Sequence, residues 1–243
     1  MLNRLPRIRN FSRLLSRSPL HPPYLNKVEV LPSLTLFRRI RTYVMANVKN
    51  EVKTALVLLA DGTEEMEAVI TIDVLRRAGI AVTAAGVQNS NCIKCSRDVK
   101  ICTDILFNDV QEKSYDIVVL PGGLGGAKTF TSSEEVGKLL QKQNKENKLI
   151  AAICAAPTAL KAHNISKGKR ITSYPSMKRD LCDYYDYQDD KNVVVDGNLI
   201  TSRGPGTAFD FGLTIVEILI NLKEATDVAN KLLYKYESCI SSV

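Results

Sequence analysis

The chain has no tryptophan and only two histidines, His21 and His163, among its 243 residues. That scarcity withdraws the commonest general base and the commonest zinc ligand from nearly the whole chain. No apolar run reaches the roughly 20 residues a membrane helix needs, so no transmembrane span is expected. Internal repeats and low-complexity tracts are also absent. Six cysteines are present, but a chain of this length can bury a sizeable core without disulfides, and a reducing compartment is expected. Cys92-Ile93-Lys94-Cys95 is formally a C-x-x-C. A zinc site would need a second pair or nearby histidines, and a thioredoxin-like motif would open a helix, whereas strand-like residues follow here. Neither a metal nor a redox role for that pair is expected.

Acids are nearly missing from the start of the chain. The first 44 residues carry eight arginines and Lys27 against Glu29, a charge of +8, so of the total of +7 the remainder carries −1. A body that close to neutral gives little support to a stable nucleic-acid complex. Residues 1–44 read as a basic, Ser/Arg-rich leader. Leu5, Ile8, Phe11, Leu14 and Leu15 recur at helical spacing, which suits a mitochondrial transit peptide, with a disordered upstream extension as the alternative. Translation from Met1 would then predict a mitochondrial protein, and from Met45 a cytoplasmic or nuclear one.

What is present is an alternation of short apolar runs and amphipathic stretches. Residues 54–60, 81–86, 115–120 and 148–153 read as buried parallel strands. Glu64–Ala78 reads as a helix with Met66, Val69, Ile70, Val74 and Leu75 as its apolar stripe and Gly79 as its stop. Asn89–Asp104 alternates without helical period and predicts a small hairpin or edge strands. Pro121-Gly122-Gly123-Leu124-Gly125-Gly126 reads as a loop whose glycines permit close backbone approach. It is a weak dinucleotide fingerprint, lacking the G-x-G-x-x-G order after the first strand. Ser133–Glu146 predicts a surface helix, Asn192–Thr201 a hairpin turning at Asp196-Gly197, and 208–222 and 224–234 two closing helices. The pattern argues one doubly wound α/β domain over 52–236, followed by a polar tail at 237–243.

The run from Lys148 to Pro157 holds the chemistry. A strand stops abruptly at Cys154, and a helix follows. A residue there sits at the carboxyl edge of the sheet, where open α/β sheets bind ligands, and a helix N-terminus favours a thiolate. The alternative is a small buried core cysteine. His163 lies nine residues on, roughly 13 Å along the helix at about 1.5 Å per residue, and cannot be the base. The partners left are carboxylates at strand tips. Of Glu64, Glu65 and Glu67, the last lies beside the buried stripe, where desolvation would raise its pKa and let it act as a proton donor, with a solvated first-turn acid as the alternative.

Five ordered motifs carry a resemblance: Ala60-Asp61-Gly62-Thr63-Glu64-Glu65-Met66-Glu67, Cys95-Ser96-Arg97-Asp98-Val99, Val119-Leu120-Pro121-Gly122-Gly123, Ala151-Ala152-Ile153-Cys154-Ala155 and the stretch from Thr201 to Thr207. Together they resemble the ThiJ/PfpI superfamily, and within it the Parkinsonism-associated protein deglycase branch (the DJ-one proteins). The resemblance implies a flavodoxin-like sandwich, a homodimer and no cofactor. It implies a reactive Cys154 with a protonated Glu67 beside it. Gly122, Gly123 and Ala155 are implied as oxyanion-type backbone donors. Arg97, Tyr174, Pro205 and, from the second subunit, Arg77 are implied at the substrate pocket. Cys95 and Cys102 are implied as secondary cysteines that, with Cys154, are redox-modified.

The activity implied is that of a glyoxalase or protein deglycase, a hydrolase acting on small dicarbonyls and on glycated proteins or nucleotides, with protection against oxidative stress. Redox sensing through a Cys154 sulfinic acid, with chaperone activity, is the alternative. Three departures matter. Ala155 stands where the protease branch has histidine, which argues against proteolysis. Tyr174 replaces a pocket histidine, and Ala156 replaces a common glycine.

Overall fold

The computed structural model describes residues 51–88 and 90–240, so the basic leader and the end of the polar tail lie outside the described residues. A seven-stranded sheet runs through this segment in the order β10-β11-β7-β6-β1-β2-β5. Its strands are β1 (Thr54–Leu59), β2 (Ala81–Gly86), β5 (Ile105–Leu106), β6 (Ile117–Leu120), β7 (Leu149–Ile153), β10 (Val193–Asp196) and β11 (Leu199–Ser202). All neighbours are parallel except β10 and β11, which form the expected hairpin, with Gly197 at φ 63° in its turn. Two small ladders lie outside the sheet: β3 (Cys92–Lys94) with β4 (Lys100–Cys102), and β8 (Arg170–Ile171) with β9 (Asp186–Tyr187).

Period-2 alternation along β1 divides the core in two. Ala55, Val57 and Leu59 face α1 (Glu65–Arg77), α6 (Ala208–Leu219) and α7 (Leu222–Lys231). Leu56, Leu58 and Ala60 face α2 (Leu124–Ser132), α3 (Glu134–Lys145), α4 (Pro157–Ala162) and α5 (Lys178–Leu181). All six of these side chains, from β1 and Ala60 just after it, are fully buried. Burial of a leucine or valine contributes roughly 1.5–3 kcal/mol, so a continuous apolar strand is stable only where both faces are covered.

Two expectations need correction. Met66 and Val69 are 52% and 50% exposed, while Glu65, Glu67, Ala68, Thr71, Val74 and Leu75 form the buried face of α1. The helix is thus rotated relative to its most apolar stripe, because the carboxyls of Glu65 and Glu67 find partners inside. The glycine run is also not all loop: Gly125 and Gly126 lie within α2. A Cβ on Gly125 would meet Asp61 O at 2.8 Å, and one on Gly126 would meet Thr63 Oγ1 at 2.7 Å. Close packing on the β1–α1 loop explains glycines that helix propensity alone disfavours.

Candidate active site

The chain leaves β1 for β2 and β5 on one side, then returns to β6 on the other. That reversal brings the carboxyl ends of β1, β6, β7 and β11 together at a topological switch point. The reactive core of the site comes from these tips and the helices they lead into, and its walls from the β3–β4 hairpin and the segment after β8.

Cys154 follows the last residue of β7 with φ 63°. A cysteine in the left-handed region carries backbone strain of order 1–3 kcal/mol, held only where the surroundings over-determine it. Here Cys154 N–H donates to Ser202 O at 3.0 Å, Tyr174 N–H donates to Cys154 O at 2.9 Å, and Ala156 N–H closes the turn on Ile153 O at 3.1 Å. The sharp turn lifts a half-buried thiol out of the strand line toward a cleft.

Glu67 lies in the first turn of α1 and is fully buried. Glu64 caps that helix, its Oε2 accepting the Glu67 N–H at 2.8 Å, while Glu64 N–H donates to Gly122 O at 3.0 Å. Gly122 N–H in turn donates to Glu67 Oε2 at 2.7 Å. A Cβ on Gly122 would stand 2.5 Å from Cys154 Cβ and 2.7 Å from Glu67 Oε2, so only glycine lets the β6 tip pass between thiol and carboxyl. Glu67 Oε1 is buried with no conventional donor, and the thiol of Cys154 interacts with the carboxyl.

The electrostatics of this pair are reciprocal. Burial pushes the Glu67 carboxyl up to about 7, against the pull of the Gly122 N–H. Burial first, and negative charge on Glu67 second, push the Cys154 thiol up, while the N–H groups of Gly123 and Ala155 pull it down. A strand-to-helix junction predicts a thiol lowered by the helix N-terminus. The structure instead makes its acidity depend on where Glu67 keeps its proton. A carboxylate at Glu67 holds the proton on sulfur, and a carboxylic acid removes that repulsion and becomes a donor to the sulfur. Two features favour the proton on Glu67. The carboxyl is sealed from solvent with one oxygen lacking an N–H or O–H donor among the described residues, whereas the sulfur opens to the cleft and has two backbone donors.

The cleft above the pair has a volume of about 560 Å³ and is lined by Gly62, Glu64, Ser96, Arg97, Gly123, Leu124, Gly125, Cys154, Ala155, Tyr174, Ser176, Met177 and Pro205. The structure thus brings together Cys154, Gly123, Ala155, Arg97, Tyr174 and Pro205, with Glu67 beneath them. Arg97 sits on the turn of the β3–β4 hairpin, which Glu65 holds by accepting Arg97 N–H at 2.9 Å and Ser96 Oγ–H at 2.8 Å. The only side-chain hydrogen bond of Arg97 among the described residues goes to Ser96 O, 3.1 Å away.

Other expectations separate. The N–H of Gly122 is taken by Glu67, so the backbone donors facing sulfur are Gly123 and Ala155. Arg77 lies at the far end of α1, paired with Asp73 at 2.6 Å, and does not line this chain's cleft. Cys95 is buried, and burial pushes its thiol up to about 11, which disfavours ready oxidation; Cys102 is exposed. His163 Nε2–H donates to Phe130 O at 2.8 Å and the ring packs on Gly137, far from the chemistry. Sequence reading missed Ser96, Ser176 and Met177 on the cleft wall. It also missed Glu64 as a helix cap, since glutamate is an uncommon residue there.

A strained thiol at the end of a parallel strand, with a buried carboxyl and two backbone N–H groups beside it, defines a cysteine-centred site of the nucleophile-elbow kind on a doubly wound sheet. The sequence profile of the DJ-1/PfpI family matches residues 53–218, and the chain belongs to that family. Protein dj-1beta of Drosophila melanogaster is 55% identical over 184 residues, covering 76% of this chain and 98% of that protein. Its crystal structure superposes with a TM-score of 0.76 at 54% identity, covering 76% of this chain and all of that one. The Caenorhabditis elegans glutathione-independent glyoxalase DJR-1.2 is 42% identical over 183 residues, with 74% and 94% covered. A structure of oxidized Toxoplasma gondii DJ-1 is 34% identical with a TM-score of 0.72, covering 76% of this chain and 100% of that one.

Proposed function

We propose that the chain is a cysteine-dependent glyoxalase and deglycase that uses no cofactor and acts on small dicarbonyls and their adducts. The observation that carries this reading is the pairing of an accessible thiol with a sealed carboxyl whose pKa lies near 7, the value best suited to moving protons at neutral pH. A relative named for glutathione-independent glyoxalase supports it.

The sulfur adds to the aldehyde carbon of a dicarbonyl, forming a C–S bond, and the new alkoxide takes the proton of Glu67. The N–H groups of Gly123 and Ala155 stabilise negative charge on sulfur before attack and on its neighbour after it. The Glu67 carboxylate then removes the hydrogen on that carbon as a proton and returns it to the adjacent carbonyl carbon. The hydroxyl proton passes to the former carbonyl oxygen, which leaves the thioester of a 2-hydroxy acid. Water hydrolyses the thioester to the hydroxy acid, lactate from methylglyoxal, and the thiol is restored. The sum is dicarbonyl plus water, with no external oxidant. Arg97, which has no carboxylate partner for its side chain among the described residues, suits an anionic product.

Cys154→Ala should abolish lactate formation. Glu67→Gln should reduce it by about 10²–10⁴-fold, the scale of one general acid–base contribution, with far-ultraviolet circular dichroism unchanged in both. Lactate production surviving in purified Cys154→Ala would refute the reading.

The same site supports a second role, a redox sensor and redox-sensitive chaperone through a Cys154 sulfinic acid, whose oxygens Glu67 O–H would hold. An oxidized relative among the solved structures favours it. Peroxide followed by mass spectrometry should add two oxygens at Cys154 before any other cysteine gains oxygen. Earlier oxygen gain at Cys182 would exclude a sensing Cys154. We further propose a homodimer, which the exposed Met66 and Val69 of α1 support and which would bring Arg77 toward a partner.

A further inference from the structure

The chemistry above leaves Cys92 and Cys102 unused. Both are free and exposed, and they are direct cross-strand partners: Cys92 stands opposite Cys102, Ile93 opposite Ile101 and Lys94 opposite Lys100. Thr103 N–H donates to Asn91 O at 2.8 Å, a bond between the residues flanking the cysteine pair. That pattern marks a non-hydrogen-bonded pair, in which Cα atoms stand about 4.5 Å apart and side chains approach most closely. A disulfide needs Cα atoms roughly 4.4–6.8 Å apart. Directly opposed residues also share a face. Ile93 is buried and Ile101 half-buried against the body, so both thiols stand on the outer face with the two lysines. The C-x-x-C spacing points elsewhere: Cys95 is buried in the core, on the far side of the strand from Cys92.

We propose that Cys92 and Cys102 form a dithiol that closes to an intrachain disulfide when a hydroperoxide is present. The peroxide transfers one oxygen to the first thiolate, giving a sulfenic acid. The second thiol attacks that sulfur, forms the S–S bond and expels the oxygen as water. Two electrons leave the sulfurs and reduce the O–O bond. The bond would clamp the open end of a hairpin already stitched to the tip of β1. Gly62 N–H donates to Lys94 O, Lys94 N–H to Asp61 Oδ1 and Ser96 N–H to Thr63 O, each at 2.8 Å. The hairpin turn carries Ser96 and Arg97 on the cleft wall, so the modification site lies on an element that shapes the candidate active site.

The test uses the full chain with Cys154→Ser, which keeps it independent of any turnover at Cys154. Hydrogen peroxide is applied at a dose that oxidises Cys154 in the parent protein, remaining thiols are alkylated, and tryptic peptides are weighed without reduction. Cleavage after Lys94 and Lys100 puts the two cysteines on separate peptides. The expected result is a Cys92–Cys102 linked pair, two hydrogens lighter than the sum, from a single-chain band on a non-reducing gel. Cys92→Ser and Cys102→Ser should each abolish it. Recovery of both cysteines alkylated, or of Cys102 joined to a second copy, would overturn the proposal.

Discussion

Cys154 and Glu67 titrate as one unit, and the stability of the fold should report it. Glu67 is raised from 4.5 to about 7 in the folded protein. The folded state therefore keeps a proton that the unfolded state gives up, and the stability this contributes falls as pH rises from about 4.5 through 7. At 1.36 kcal/mol per pH unit the loss is about 3 kcal/mol across that window. Carboxyls such as Asp116 and Glu65, whose pKa is lowered, act with the opposite sign, so the effect must be read as a difference. In a Cys154→Ala background, Glu67→Gln should be the more stable protein at pH 8 and nearly equal at pH 4.5, by urea midpoint. Parallel pH profiles for the two would show that Glu67 ionises freely. The residue types were legible in the sequence. With histidine absent from the body except at His163, a carboxyl was the partner left, and Glu67 was the acid nearest the buried stripe. The one-sided pull of its proton was not legible, because it depends on Gly122 N–H reaching Oε2 and on no N–H or O–H group among the described residues reaching Oε1.

At the scale of elements, the loop after β6 sets the distance between thiol and acid. Gly122 has no room for a side chain, and Gly123, at φ +83°, would place a Cβ 2.2 Å from Gly62 O. Gly122→Ala should destabilise by about 1–3 kcal/mol through forced displacement of its neighbours, and should lower kcat while the cleft still binds product. Full activity in this variant would mean that the loop can move without disturbing the pair. The parallel strands were readable as continuous apolar runs, and α3 from its amphipathic period and the Ser133 cap on Val136 N–H. The helix α2 was not, since two glycines in its first turn argue against helix locally and are explained only by what they pack on.

For the whole molecule, the outward face of α1 presents Met66 and Val69 in line with Asp73 and Arg77. Sedimentation should find a dimer, and Val69→Glu should shift it toward monomer without loss of helix content. A monomeric parent protein would refute the dimer, and a dimer unmoved by the charge would send its interface elsewhere.

By itself the sequence determined the alternation of strand and helix, the thiol at a strand-to-helix junction and the glycines beside it, because each follows from local composition and period. Tertiary structure alone decided that Glu67 lies under Cys154, that Gly122 serves the acid while Gly123 and Ala155 serve the sulfur, that Met66 faces outward, and that Cys92 is matched with Cys102 rather than Cys95. Periodicity reports which side of an element is apolar. Strand order and register decide what that side meets, and those are set by contacts between residues far apart in the chain.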